Sequence, residues 1–293
     1  MEAYPEELQR LTPTAGGELV VERYGEAADQ LGELWPAHAP TRSATRADGP
    51  YPVVVLLHGG FWRRRYRLDL MHAVAADLQR RGVAVWNLEY RRVGSPGGGW
   101  PGTFEDVAAG FDALTDLAGR HRLDLRRVAV VGHSAGGHLA LWLAGGGRPR
   151  GGLGAWQGPG AWHGPGRRRS GPPPALVVAL AGVCDLVEAA RRHLSHDAAV
   201  DLLGSGPQDR RERYLLCSPA ALLPLGVPQV LVHGTADSSV PFDISVRYAA
   251  AARAAGDACE LVALDGVDHF ALIDPTTAAW RATVQRLEPA LQA

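Results

Sequence analysis

The sequence predicts an α/β fold with one mostly parallel central sheet and helices on both faces. Three observations carry this expectation. Short β-branched apolar runs alternate with stretches of helical periodicity, as crossover connections between parallel strands require. Those runs are continuously apolar, which marks strands covered on both faces. The chain has 293 residues, 46% of them hydrophobic, enough for one large domain of this class. Residues 1–293 are therefore read as a single domain.

Each element has its own signal. Residues 19–21 and 30–34 offer an antiparallel edge pair ahead of the first buried strand, 52–57, PVVVLL. Residues 68–81 repeat apolar side chains at helical spacing and stop at Gly82, and 83–88 form the next strand. Thr103, with Asp106 three residues on, reads as a capping-box-like start to a helix running to about Gly119. Residues 127–131 are a strand, 137–143 a helix, and 175–181, 229–233 and 259–264 the later strands. Glycine, proline and arginine dominate 145–174, so a flexible surface loop is expected there. Residues 185–224 place charged helical stretches, 187–192 and 209–216, between two core strands. They suit either a small cap over the site or an elaborated crossover.

Composition excludes several function classes. The formal net charge is −1, and all 30 basic residues are arginine. No global field draws nucleic acid or an anionic membrane, and the clusters at 63–65 and 167–169 read as solvated loop arginines. No apolar run is long enough to cross a bilayer, and the first residues carry acid where a signal peptide carries base, so a soluble cytoplasmic protein is expected. Cys184, Cys217 and Cys259 are odd in number and far apart, which fits buried thiols and neither a disulfide framework nor a zinc set. His193 and His196 lack a carboxylate at metalloprotease spacing. Neither a metal nor an organic cofactor is expected.

The chemistry sits in four places. Gly132-His133-Ser134-Ala135-Gly136 lies between a strand and a helix, the context of a nucleophile elbow, in which small neighbours let the chain double back and expose the serine. A serine hydroxyl needs a base, and the base needs an orienting group. Asp237 follows the strand 229–233, and His269 follows the strand 259–264. Ser134, Asp237 and His269 thus come in the chain order Ser, Asp, His, each after a strand. Asp265 and Asp268 compete for the acid role, but they flank the histidine within its own loop, where reaching its outer nitrogen is awkward. His133 reads as structural. His58-Gly59-Gly60-Phe61-Trp62 follows the first buried strand, so the N–H groups of Gly60 and Phe61 should join that of Ala135 as an oxyanion hole.

These motifs, from about Tyr51 to Pro275, resemble the α/β-hydrolase fold, and within it the esterase and lipase group with an H-G-G-x-W oxyanion loop. That loop is similar to the motif of kynurenine formamidase-like proteins and of feruloyl and acetylxylan esterase-like proteins. Glu89-Tyr90-Arg91-Arg92 and Phe104-Glu105-Asp106-Val107 resemble pieces that follow the oxyanion loop in hormone-sensitive-lipase-like esterases. Arg91 is expected to pair with Asp106 or Glu105. The resemblance implies a serine hydrolase acting on a small ester or amide. Phe61, Trp62, Trp86 and Trp100 suggest an aromatic-walled pocket, with Trp62 and Trp100 as substrate-binding residues. An aryl ester and an N-formyl aromatic amine both fit such a pocket; the function expected is hydrolysis of a small carboxylic ester, with arylformamidase as the alternative. A non-catalytic binding protein on the same fold is the reading of another class.

Overall fold

The computed structural model describes residues 19–37, 50–146 and 173–292. Most of the glycine-rich stretch expected to be a loop, 147–172, lies outside them. Eight strands form one sheet in the order β1-β2-β4-β3-β5-β6-β7-β8. They are β1 (Val20–Arg23), β2 (Leu31–Trp35), β3 (Tyr51–Leu57), β4 (Ala84–Leu88), β5 (Leu123–His133), β6 (Leu176–Leu180), β7 (Gln229–Gly234) and β8 (Cys259–Leu264). From β4 to β8 across the sheet every pairing is parallel. The expected edge pair is present, with β1 on β2 and β2 on β4, both antiparallel.

The continuous apolar runs have a direct physical cause. Val53, Val55 and Leu57 of β3 face one core layer, with Phe104, Leu139 and Trp142, whereas Val54 and Leu56 face the other, with Val74, Trp280 and Leu287. The first layer is built by α2 (Gly102–Asp112), α3 (Leu114–His121), α4 (Ala135–Ala144) and α9 (Phe242–Ala254), and the second by α1 (His72–Arg80) and α10 (Ala278–Gln292). Residues 185–224 carry four short helices of their own: α5 (Leu186–Arg191), α6 (Ala198–Leu203), α7 (Arg211–Cys217) and α8 (Pro219–Leu222). No helix among the described residues is long and apolar enough to cross a membrane.

Three expectations change. The helix at 103–119 is two, broken at Ala113, and its start is not a capping box. Thr103 Oγ1 accepts from the Gly99 N–H and donates to the Arg91 carbonyl, while the Asp106 carboxylate is buried and receives Arg91 Nε and Nη2 at 2.7 Å each. That fork is the expected Arg91 pairing. The arginines at 63–65 are not all solvated either, because Arg63 is half-buried and donates to the carbonyls of Ser195 at 2.5 Å and His196 at 3.1 Å. All three cysteines are buried, as expected, and burial pushes the Cys259 thiol up to about 11.

Candidate active site

Strand β5 runs straight into α4, and Ser134 at the junction takes φ 56° and ψ −117°. A non-glycine residue holds that backbone conformation only when its surroundings enforce it. Its neighbours show what the turn demands: a Cβ on Gly132 would lie 2.0 Å from the Gly136 carbonyl oxygen, and one on Gly136 would lie 2.0 Å from that of Leu57. The Ser134 N–H donates to the Leu180 carbonyl of β6, and its own carbonyl accepts from His138 in α4. Ala135 opens α4, where backbone N–H groups lack an intrahelical acceptor and point out of the helix end.

The loop after β3 brings a second set of donors to the same place. Gly60, Phe61 and Trp62 all have positive φ, at 105°, 49° and 56°. A Cβ on Gly60 would meet the Tyr66 side chain at 2.4 Å, so glycine is required there. The N–H groups of Gly60 and Phe61 have no protein acceptor among the described residues. Beneath the loop lies a buried polar cluster. His58 Nε2 donates to Glu89 Oε1 at 2.9 Å, Arg92 Nη1 donates to the same oxygen at 2.7 Å, and the Tyr90 hydroxyl donates to the His58 carbonyl at 2.7 Å. Burial pushes the Glu89 carboxyl up, but the charges and hydrogen bonds of His58 and Arg92 outweigh it and hold the group down at about 2. In the sequence Glu89 stands out only within a stretch that resembles hormone-sensitive-lipase-like esterases, and nothing there signals its place under the loop.

Asp237 and His269 meet as their places after β7 and β8 suggest. His269 Nδ1 donates to Asp237 Oδ2 at 2.6 Å, and Asp237 Oδ1 accepts the N–H groups of Ser239 and Val240 at 2.8 Å each. Burial raises the Asp237 carboxyl, yet the hydrogen bonds from His233 and His269 and the Val240 N–H prevail and keep it below the usual carboxylate range. The rival acids are engaged elsewhere. Asp268 caps the N–H groups of Phe270 and Ala271, and Asp265 accepts from the Thr235 hydroxyl. His133 donates from Nε2 to the His269 carbonyl at 3.0 Å, and burial holds its imidazole well below its ordinary value, so it is a neutral strut.

Ser134, His269, Gly60 and Phe61 line one open cleft of about 350 Å³, with Tyr66, Phe270 and the serines 195, 238 and 239 among the further walls. Asp237 lies behind His269, shielded from solvent. Trp62 and Trp100 do not belong to this wall. Trp62 is 1% exposed and its indole N–H donates to His138, and Trp100 lines a separate cleft with Arg213 and Leu216. Trp86 is buried too, donating to the Gly110 carbonyl. No sequence signal separates an aromatic that packs under a loop from one that faces substrate. Ser195 and His196 were missed because only the fold carries 185–224 to the cleft.

The BD-FAE family profile matches residues 42–251. The chain belongs to the BD-FAE family. This is a family of hydrolase-fold esterases. Esterase LipC of Mycobacterium tuberculosis (strain ATCC 25618 / H37Rv) is 30% identical over 122 residues, which is 42% of this chain and 28% of the length of that esterase. Among solved structures, esterase B from Lactobacillus Rhamnosis (HN001) superposes with a TM-score of 0.74 at 21% identity, covering 97% of this chain and 89% of that one. A bacterial heroin esterase gives 0.72 at 22% identity, covering 99% and 89%. Both carry the same fold as this BD-FAE chain.

Proposed function

We propose that this BD-FAE protein is a serine hydrolase that cleaves a small carboxylic ester through an acyl-enzyme. The single observation that carries the reading is the 2.6 Å bond from His269 Nδ1 to Asp237 Oδ2, made by a histidine that shares its cleft with the strained Ser134. A histidine so held presents Nε2 as a base. Ser134 Oγ attacks the ester carbonyl while His269 takes the hydroxyl proton, and Asp237 stabilises the imidazolium. The N–H groups of Gly60, Phe61 and Ala135 receive the oxyanion; removing one such donor typically costs ~3 kcal/mol of transition-state stabilisation. His269 then returns the proton to the departing alcohol. Water, deprotonated by His269, attacks the acyl carbon, and as the acyl–Oγ bond breaks His269 passes that proton to Ser134 Oγ, releasing the acid. The chain's own residues suffice for every step.

The ester reading stands ahead of the formamide reading because the family is one of hydrolase-fold esterases, and of the four aromatic residues expected to wall the pocket Phe61 alone lines the cleft. Residues 185–224 serve this reading as a wall that sets substrate fit, through Ser195 and His196. A fluorophosphonate probe should label wild type and not Ser134→Ala, and 4-nitrophenyl acetate should turn over with the same dependence. Absence of labelling in folded wild type would favour a binding protein. Turnover of N-formylkynurenine above that of the ester would restore the formamide reading.

A further inference from the structure

The end of β7 places a second histidine against the acid. His233 is buried, and its Nε2 lies 3.2 Å from Asp237 Oδ2, the same oxygen that accepts from His269, and 3.0 Å from the Val240 carbonyl. Two acceptors facing one nitrogen fix the proton on Nε2. The other nitrogen, Nδ1, lies 2.7 Å from Ser245 Oγ of α9, which donates to it, and Phe242 packs edge-on against the ring. Asp237 Oδ1 therefore accepts two backbone hydrogen bonds, and Oδ2 accepts from His269 and lies 3.2 Å from the Nε2 of a side chain that does not line the cleft.

We propose that His233 is a positioning residue for this reaction: by donating to the Asp237 oxygen that His269 uses, it draws charge from that oxygen and keeps His269 ready to accept the Ser134 proton. The inference rests on the serine-hydrolase reading. Its physical basis is a competition. A carboxylate oxygen with a second donor attracts the first one less, so the imidazolium form of His269 gains less from Asp237. The other charged and titratable groups near the pair are accounted for. His133 meets the His269 ring at 4.4 Å and donates to its carbonyl. Asp265 and Asp268 bind their own loops, Asp243 of α9 pairs with Arg192, and Arg63, Arg65 and His196 line the cleft.

Two side chains separate the donor from the packing. An asparagine ends at about the place of Nδ1 and keeps a partner for Ser245, whereas a glutamine reaches about as far as Nε2 and restores an N–H to Asp237. We therefore compare kcat/KM for 4-nitrophenyl acetate against pH in wild type, His233→Asn, His233→Gln, His233→Leu and Ser245→Ala, with thermal unfolding as the check on folding. The acid limb should move up by about half a unit to one unit in His233→Asn and lie near wild type in His233→Gln. Ser245→Ala leaves the Nε2 proton facing both acceptors and should keep the wild-type limb, and His233→Leu, which has no donor, should move it as His233→Asn does and decides the matter if His233→Asn does not fold. Limbs that coincide in wild type and whichever of His233→Asn and His233→Leu folds would overturn the proposal, as would equal shifts in His233→Asn and His233→Gln. Hydrolysis that is independent of Ser134 would instead overturn the serine-hydrolase reading.

Discussion

Asp237 has no spare oxygen. Oδ1 takes two backbone N–H groups and Oδ2 takes the imidazoles. An asparagine keeps the shape but must turn its NH2 toward one of these donor sets, so either the loop 237–240 loses its anchor or His269 is pushed into the wrong tautomer. Asp237→Asn should accordingly lower kcat by roughly 10⁴-fold, read from steady-state ester hydrolysis at saturating substrate. A loss below tenfold would mean that another carboxylate orients His269. This much of the site was legible in the sequence, because Ser134, Asp237 and His269 each follow a strand, and parallel strands end on one side of the sheet. The walls were not legible. Trp62 looks like Phe61 in the sequence, and only the left-handed turn at residues 60–62 sends one ring into the core and leaves the other at the cleft.

At the scale of elements, strands were easier to read than helices. Burial on both faces stamps an unbroken apolar run on β3, β5, β6 and β7, whereas α6 and α8 are too short to show a period. The connection after β4 is held by charge. Arg91 grips Asp106 with a two-point fork, and Asp106 Oδ1 also receives Gln30 Nε2 from the edge hairpin at 2.7 Å. Arg91→Ala leaves that buried carboxylate without its cation and should destabilise the fold by about 3 kcal/mol in urea unfolding; an unchanged midpoint would show that the fork is dispensable. Arg63 ties two other elements. It joins the loop after β3 to residues 193–197, where His193, Ser195, His196 and Asp197 all have φ between 48° and 61°. Such strain persists only while neighbours enforce it. Arg63→Ala should let the segment relax out of the cleft wall and raise KM about tenfold, with a smaller change in kcat because the Arg63 backbone turn to Gly60 remains. A fall confined to kcat would contradict this.

Over the whole molecule, the site stands on ionised groups that the sheet keeps dry. Glu89, fully buried at the end of β4, gathers His58, Arg92 and the N–H groups of Leu68 and Tyr90, and so braces the loop after β3 from below. Nothing in the sequence distinguishes it from a surface glutamate after a strand, since burial of a charge shows only when its partners, far apart in the chain, are brought in. Its consequence is a particular dependence on acid. The folded-state value, about 2, lies below the ordinary 4.5, so the unfolded chain takes up the proton first as pH falls. The stability that Glu89 contributes is complete above about 4.5 and disappears as pH drops toward 2, in total about 3 kcal/mol for a gap of that size. Asp237, also held below its ordinary 3.8, acts in the same direction. The thermal midpoint should therefore hold steady near neutrality and descend below about pH 4.5. Glu89→Gln removes the charge from both states and leaves Arg92 without its nearest counter-ion, so that variant should melt lower at pH 7 and lose less on acidification, its curve converging on wild type at low pH. Parallel melting curves for the two proteins across pH 2 to 7 would show that the buried carboxylate is not the source of the acid sensitivity.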